Sequence, residues 1–496
     1  MSTYRQILKS TSIIGGSSFI NMAIGMVRTK FVAVLLGPTG MGLMGIYQSI
    51  TGMVGTATAM GIGTSGVRQV AEAYGAGDAD RLAHTVKSLR RFVWATGILG
   101  MMITMLGCVF ISRISFGSSD HAFVIALLGI TILLGHITDG QSCILQGTRR
   151  IGDLARVSII GALNGTIISI PCYFFWGMEG IAPSLILIAV ATLVTTWWYA
   201  RRVQIKSVTM PWRESREDVT DLLRFGIPFM LAMLLTTLTG YLIRIFLVRH
   251  FGLDGVGIWQ AAFMLSSVLV NFVLRAMGTD YYPRLTAVAH DNQLVNESVN
   301  TQTEIALLLA VPGLAATIIF APLAIKIFYS GRFDASVDIL RWSVYGIFGR
   351  VVSWPLGYIM LAKGMGKTFF FSESFANLFY LSAVWGCTKI WGLPGTGIAF
   401  MLLYTVYTSV VYAIGYAVVD FTWNRSNYVH IAIFSLLLVA VGLISALITN
   451  PWYQYAINIV SLFAITIYCF RRLMRKSGGE MRMFLAKVGI KGSQKP

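Results

Sequence analysis

Four basic residues stand where basic residues are expensive. Arg28, Lys30, Arg244 and Arg350 fall inside apolar runs of membrane-spanning length. An Arg at the centre of such a run costs roughly 2.5–3.5 kcal/mol on insertion scales, so it usually faces water, a partner or a ligand. The chemistry on offer is anion binding, because the planar guanidinium matches two phosphate oxygens at once. Arg350 lies near the middle of its run. Arg28 and Arg244 lie nearer an end, where a long side chain can snorkel. Lys30 is two residues from Arg28 and points to a different face. Polar neighbours extend the pattern: Ser18, Asn21, Gly25 and Arg28 follow a 3–4 spacing, as do Thr237, Tyr241 and Arg244. Gln48 and Gln260 add amides in later runs of the two halves. The stripes read either as walls of a shared wet cavity or as polar contacts between helices.

Acidic residues within the runs are fewer. Asp139 and Glu373 would either pair with a buried Arg or bind and release a proton. His136, three residues before Asp139, shares its face and could join either role. Two residues do not make a metal site. The five cysteines show no paired spacing and read as buried thiols. There is no GxxxxGK[ST] motif, so nucleotide hydrolysis is not expected. No cofactor or metal is expected.

The elements that must position these groups follow from composition. The 496 residues are 55% hydrophobic and only 12% charged, against about 25% charged in soluble domains. The solvent for most of the chain is therefore a bilayer. The net charge of +18 would suggest nucleic acid in a soluble protein. Here it suggests topology signals and anionic headgroups, with no nucleic-acid partner. The N-terminal MSTYRQILKS precedes an apolar stretch too long for a signal h-region, which is expected to stay as the first span.

Fourteen runs are long enough to cross, starting near Ser10, Met41, Phe92, Ala122, Val157, Ile181, Leu222, Gly255, Ile305, Val337, Thr368, Thr396, Ile431 and Trp452. Their length and uniform apolarity predict an all-α polytopic fold rather than a barrel. With the N-terminus inside, 29 of the 39 Lys and Arg fall on cytoplasmic segments. That asymmetry supports the count and puts both termini in the cytoplasm. Met481 to Ile490 reads as a short interfacial helix.

The halves echo each other. Gly37-x-x-Gly40-x-Gly42 recurs as Gly252-x-x-Gly255-x-Gly257, and Gly63-Thr64 as Gly278-Thr279. Gly180-Ile181-Ala182 resembles Gly397-Ile398-Ala399. The expected division is an N-lobe at 1–200, a linker at 201–221, a C-lobe at 222–420, two extra spans at 421–472 and a basic tail at 473–496. Six spans per repeat return the chain to its starting side, so the lobes are parallel repeats. That is an architecture for alternating access.

Particular stretches resemble a known family. They are Leu36-Gly37-Pro38-x-Gly40-x-Gly42, Val256-Gly257-Ile258-Trp259-Gln260, Tyr282-Pro283-Arg284-Leu285, and Leu361-Ala362-Lys363 followed by Phe370 and Glu373. With fourteen spans and intramembrane Arg, the chain resembles the Wzx-type O-antigen and enterobacterial common antigen flippases, in the polysaccharide-transporter branch of the MOP superfamily. The resemblance covers about residues 1–420. It implies movement of an undecaprenyl-diphosphate-linked oligosaccharide between leaflets of the bacterial inner membrane. It also implies coupling to a proton or sodium gradient or to the membrane potential, with glycan polymerase and chain-length machinery as further partners. Read from the residues themselves rather than from the resemblance, Arg28, Lys30, Asn21, Gln48, Arg244, Gln260 and Arg350 are substrate-binding candidates, and His136, Asp139 and Glu373 are coupling or ion-pair candidates. MATE-type exporters share the superfamily and suit cationic substrates. The absence of an acidic residue within the first span, and within the seventh after Asp221, counts against that alternative. A membrane glycan polymerase or ligase is a third reading, disfavoured by the short outer loops.

Overall fold

Backbone N–H and C=O groups in lipid must find partners within their own segment, so long apolar runs fold as helices. A computed structural model describes residues 3–476 apart from 207, 209, 210, 212–214 and 449. The 481–490 segment lies outside the described residues. Among those residues the secondary structure is helical: α1 (Thr3–Ala59), α2 (Ile62–Gly75), α3 (Ala79–Leu106), α4 (Cys108–Phe116), α5 (Ala122–Gly147), α6 (Ile151–Trp176), α7 (Ile181–Ala200), α8 (Ser215–Ala287), α9 (Asn292–Ile319), α10 (Ala321–Phe328), α11 (Ser336–Ala362), α12 (Gly366–Trp391), α13 (Gly395–Val419), α14 (Arg425–Leu447) and α15 (Pro451–Lys476).

Ten apolar stretches are long enough to cross a membrane. Three of them run 44, 50 and 49 residues, twice what one crossing needs. Each contains a break: Gly37 in α1, the turn at 177–180, and Gly252 in α8. Each therefore supplies two crossings. α12 is more polar, carrying Lys367, Glu373 and Lys389, yet its 26 residues reach roughly 39 Å. The described residues thus accommodate the fourteen spans expected from the sequence.

The breaks carry the repeat. Gly37 (φ 65°, ψ −168°) and Gly252 (φ 69°, ψ −176°) adopt the same conformation 215 residues apart. A positive φ with extended ψ is open essentially to glycine alone, so the residue type fixes where each long helix bends. The same spacing relates Arg149 to Gly364, both at positive φ, and Gly177 to Gly392. It also relates Gly180, packed on the Cys172 carbonyl, to Gly395, packed on that of Cys387. Gly180 therefore corresponds to Gly395 rather than to Gly397, which corrects the last sequence match by two residues.

α3 and α9 begin well before the apolar runs expected at Phe92 and Ile305. Their first turns are polar and lie beyond the hydrophobic stretch that hydropathy detects. Each start is set by an Asp cap. Asp78 accepts from Asp80 N and Arg81 N, and Asp291 accepts from Gln293 N and Leu294 N. The Arg81 and Asp80 N–H groups hold the Asp78 carboxyl below the usual carboxylate range.

The chain separates into two compact units, Met1–Gln260 with Ile327–Arg332, and Ala261–Lys326 with Phe333–Pro496. In the first, α2 buries Ile62, Val70 and Ala73 against Leu89 and Val93 of α3 and Cys143 and Ile144 of α5. In the second, α11 and α13 meet through glycines: a Cβ at Gly346 would strike Phe400, and one at Gly349 would press on Tyr404. Small residues let helices approach closely where lipid supplies no hydrophobic drive.

Candidate functional site

In the first unit, the second half of α1 joins the start of α2, α5, α7 and the start of α8 around a cavity of about 690 Å³. Gln48, Thr51, Thr56, Thr64, Ser142 and Asp139 present oxygens to it, and Phe229, Met230 and Met233 close one wall. Asp139 and Gln48 are exposed on its surface. Asp139 is the one acidic residue on the lining, and no Lys or Arg joins it. The chamber is thus rich in acceptors and carries a single carboxylate. It suits hydroxyls, a proton or a cation, and a diphosphate would meet repulsion there.

His136 borders the same space but is buried and held on both ring nitrogens. Nε2 lies 3.2 Å from the Gly55 carbonyl, which can only accept, so Nε2 carries the proton. Nδ1 lies 3.1 Å from the Thr96 hydroxyl, within hydrogen-bond distance. These bonds tie α5 to α1 and α3.

The basic candidates lie away from that cavity lining. Asn21 Nδ2 donates to Ser158 Oγ at 2.6 Å, and the Arg28 guanidinium lies over Gly165, 3.1 Å from where a Cβ would stand. The polar stripe of α1 therefore faces α6. Lys30 donates to the Tyr329 carbonyl. In α8, Tyr241 bonds Ser115 at 2.7 Å. Arg244 donates to the Gly240 carbonyl at 3.1 Å and stacks 5.1 Å from the Trp259 ring centroid. Gln260 is buried and fits against Gly45, where a Cβ would sit 1.9 Å from its Oε1. The two stripes engage different neighbours within the unit.

In the second unit, Arg350 of α11 is half-buried, and Tyr404 of α13 lies within electrostatic reach of both Arg350 and Glu373 of α12. Tyr407 donates its hydroxyl to Glu373 Oε1 at 2.5 Å. The acidic partner expected for an Arg is thus claimed by a tyrosine. Among the described residues, Arg28 and Arg350 form no ion pair.

Tyr404 and Tyr407 were not singled out by sequence. Their only local signal is tyrosine at i and i+3 within an apolar run, which is common in membrane helices. A second group missed by sequence is the buried Glu304 of α9. Its Oε1 meets Arg472 Nε at 3.3 Å and the Ser426 hydroxyl at 3.4 Å.

Comparison with known proteins adds to this geometry. The family model described as polysaccharide biosynthesis protein matches residues 7–289. The lipid III flippase of Escherichia coli (strain K12) is 24% identical over 414 residues, covering 82% of this chain and 97% of the relative. The teichuronic acid biosynthesis protein TuaB of Bacillus subtilis (strain 168) is 20% identical over 346 residues, covering 69% of this chain and 70% of TuaB. Among solved structures, the lipid II flippase MurJ in an inward closed conformation superposes with a TM-score of 0.70 at 13% identity, covering 94% of this chain and 99% of MurJ. An inward-facing MATE family multidrug transporter of the MOP superfamily superposes with a TM-score of 0.69 at 16% identity, covering 84% of this chain and 99% of that one. These two likenesses establish the fold.

Proposed function

The chain belongs to the polysaccharide biosynthesis protein family, and from that membership we propose that it is a flippase for lipid-linked oligosaccharide. The substrate is an undecaprenyl-diphosphate-linked repeat unit, moved from the cytoplasmic to the periplasmic leaflet by alternating access. The observation that carries this reading is that each unit holds a half-buried arginine, Arg28 in the first and Arg350 in the second, that no acid neutralises among the described residues. Either fork suits a diphosphate that has left its hydration shell, and Arg244 on Trp259 is a further cation of the first unit. A curated relative covering most of the chain is itself a lipid III flippase. The activity is transport, not bond-making chemistry.

We place the protein in the bacterial inner membrane with both termini cytoplasmic, a reading supported by the Lys and Arg asymmetry of the loops. The two six-span lobes, at 1–200 and 222–420, are the parts that rock during transport. The repeat of turn conformations 215 residues apart supports that division. Coupling to a proton or sodium gradient or to the membrane potential would act through Asp139, and polymerase and chain-length machinery would receive the product.

The test is a deletion strain complemented with Arg350→Ala, Arg28→Ala or Arg244→Ala. Surface glycan is expected to disappear while protein level stays normal, and lipid-linked repeat units should accumulate on the cytoplasmic leaflet. Full glycan with all three replaced would sink the site. Accumulation on the outer leaflet instead would indicate a polymerase or ligase. A second reading, export of small cationic molecules, draws on the acidic, base-free chamber around Asp139. A changed drug-susceptibility profile with intact surface glycan would favour it.

A further inference from the structure

The second unit contains a groove that the transport reading does not use. It has a volume of about 710 Å³ and runs between α11, α13 and α14. Its walls are mostly apolar, with Trp342, Phe348, Val352, Leu438 and Leu443 among them. Gly442 makes room on α14: a Cβ there would lie 2.0 Å from the Tyr345 hydroxyl. Two opposite charges, Asp338 and Arg341, stand at one end, a single helical turn apart on α11. They form no ion pair with each other among the described residues. Asp338 is exposed, and the buried Nε of Arg341 has no acceptor.

An occupant must match three things: an apolar body, a fixed anion near Arg341 and a fixed cation near Asp338. Length decides further. From Arg341 to Val352 the α11 wall spans roughly 16 Å, about half of a ~30 Å hydrocarbon core. That is the depth of one leaflet, and it suits one acyl chain. A polyprenyl tail is several times longer, and a purely anionic headgroup would leave Asp338 opposed.

We propose that this groove is a resident site for a single phospholipid with a primary-ammonium head, of the phosphatidylethanolamine type. Its phosphate meets Arg341, its ammonium meets Asp338, and one acyl chain lies along Trp342, Phe348 and Val352. In the orientation proposed above, the lipid belongs to the periplasmic leaflet. That leaflet assignment alone rests on the transport reading, whereas the site does not.

Trp342 reports occupancy directly. The purified full-length chain is placed in nanodiscs containing a small fraction of bromine-labelled phosphatidylethanolamine or phosphatidylglycerol. Quenching due to Trp342 is the difference between the parent and Trp342→Phe. The labelled ethanolamine lipid is expected to quench this component at roughly fivefold lower mole fraction than the glycerol lipid, the effect of about one charge–headgroup interaction. Asp338→Asn should erase the preference, and Arg341→Gln should weaken both lipids. Thr405→Phe, at an exposed groove position, should abolish the component while leaving the fold intact. Equal quenching by both lipids at every fraction would mean ordinary annular contact and overturn the proposal. So would quenching unchanged by Thr405→Phe, or stronger quenching by a brominated polyprenyl phosphate. None of these outcomes depends on whether the protein flips a glycolipid.

Discussion

Thr39 and Asp254, equivalent positions of the two repeats, hydrogen-bond directly to each other, Thr39 Oγ1 donating to Asp254 Oδ1. The glycines beside them repeat the relationship in backbone form. A Cβ on Gly42 would stand 2.0 Å from the Leu253 carbonyl oxygen, and one on Gly257 would stand 2.0 Å from that of Pro38. Both partners of each contact thus reappear, exchanged, in the other. A local two-fold relation between the start of the second span and the start of the eighth follows from these contacts.

Gly42→Ala or Gly257→Ala must therefore push two backbones apart. Overpacking of this kind costs about 1–3 kcal/mol, and no flexible side-chain end is there to yield. The expected result is a lower unfolding temperature in detergent and a loss of surface glycan. Gly55→Ala is the matched control, because a Cβ there meets nothing within 4 Å. Equal behaviour of Gly42→Ala and Gly55→Ala would show that the close approach is dispensable.

Asp139→Asn removes the one acidic charge on the lining of the first-unit cavity. If that carboxylate carries the coupling ion, transport into proteoliposomes driven by an imposed gradient should fall by about tenfold or more, equivalent to about 1.4 kcal/mol. Binding of the glycolipid, which we assign to the arginines elsewhere, should persist. Asp139→Glu keeps the charge and should retain part of the rate. A gradient response in the Asn variant equal to the parent's would remove Asp139 from the coupling step.

Tyr407→Phe takes from Glu373 the donor that holds it at 2.5 Å. A hydrogen bond to a charged group contributes about 1.5–3 kcal/mol, so the variant should unfold at lower temperature. Glu373→Gln in the same background removes the uncompensated charge and should restore most of the loss. Non-additivity of the two substitutions in a double-mutant cycle measures the interaction. Simple additivity would mean that the pair is not coupled.

Local features were legible in the sequence. Gly37 and Gly252 mark breaks because a positive φ with extended ψ admits little else, and the apolar runs had to become helices of crossing length. The match at Gly180 slipped by two residues for a related reason. Gly-Ile-Ala recurs by chance in a glycine-rich chain, whereas the constraint that matters is close packing on a preceding carbonyl. What faces what was not legible. The spacing of Asn21 and Arg28 defined a stripe, yet only the fold sets it against Ser158 and Gly165 of α6. Likewise Glu373 needed a partner, and an arginine was the chemically obvious one. The helix that reached it carries Tyr407, a neutral donor whose placement depends on the pairing of α12 with α13. The cavity around Asp139 arises from five helices spread between α1 and α8, so no motif announces it.

The last two helices are docked by charge as well as by apolar contact. Glu304 of α9 is fully buried, and Arg472 of α15 reaches it at 3.3 Å. Arg472 also donates to Ser426 of α14 at 3.2 Å. His430 of α14 lies 4.0 Å from the same carboxylate oxygen and bonds Tyr468 of α15 at 2.9 Å. Removing one partner of a fully buried pair costs roughly 3–5 kcal/mol, mostly from the charge left behind. Arg472 is about a third exposed, so screening reduces the figure for Arg472→Ala to roughly 1–3 kcal/mol. The order of effects follows. Arg472→Ala should lower the unfolding temperature more than Glu304→Gln, and Glu304→Gln added to Arg472→Ala should recover stability, because the neutral amide needs no cation. Deleting residues 451–496 leaves Glu304 without Arg472 and should be better tolerated in a Glu304→Gln background. Thermal unfolding of the four full-length forms in one detergent checks the sequence. If Glu304→Gln worsens Arg472→Ala, the carboxylate is held by something other than its arginine.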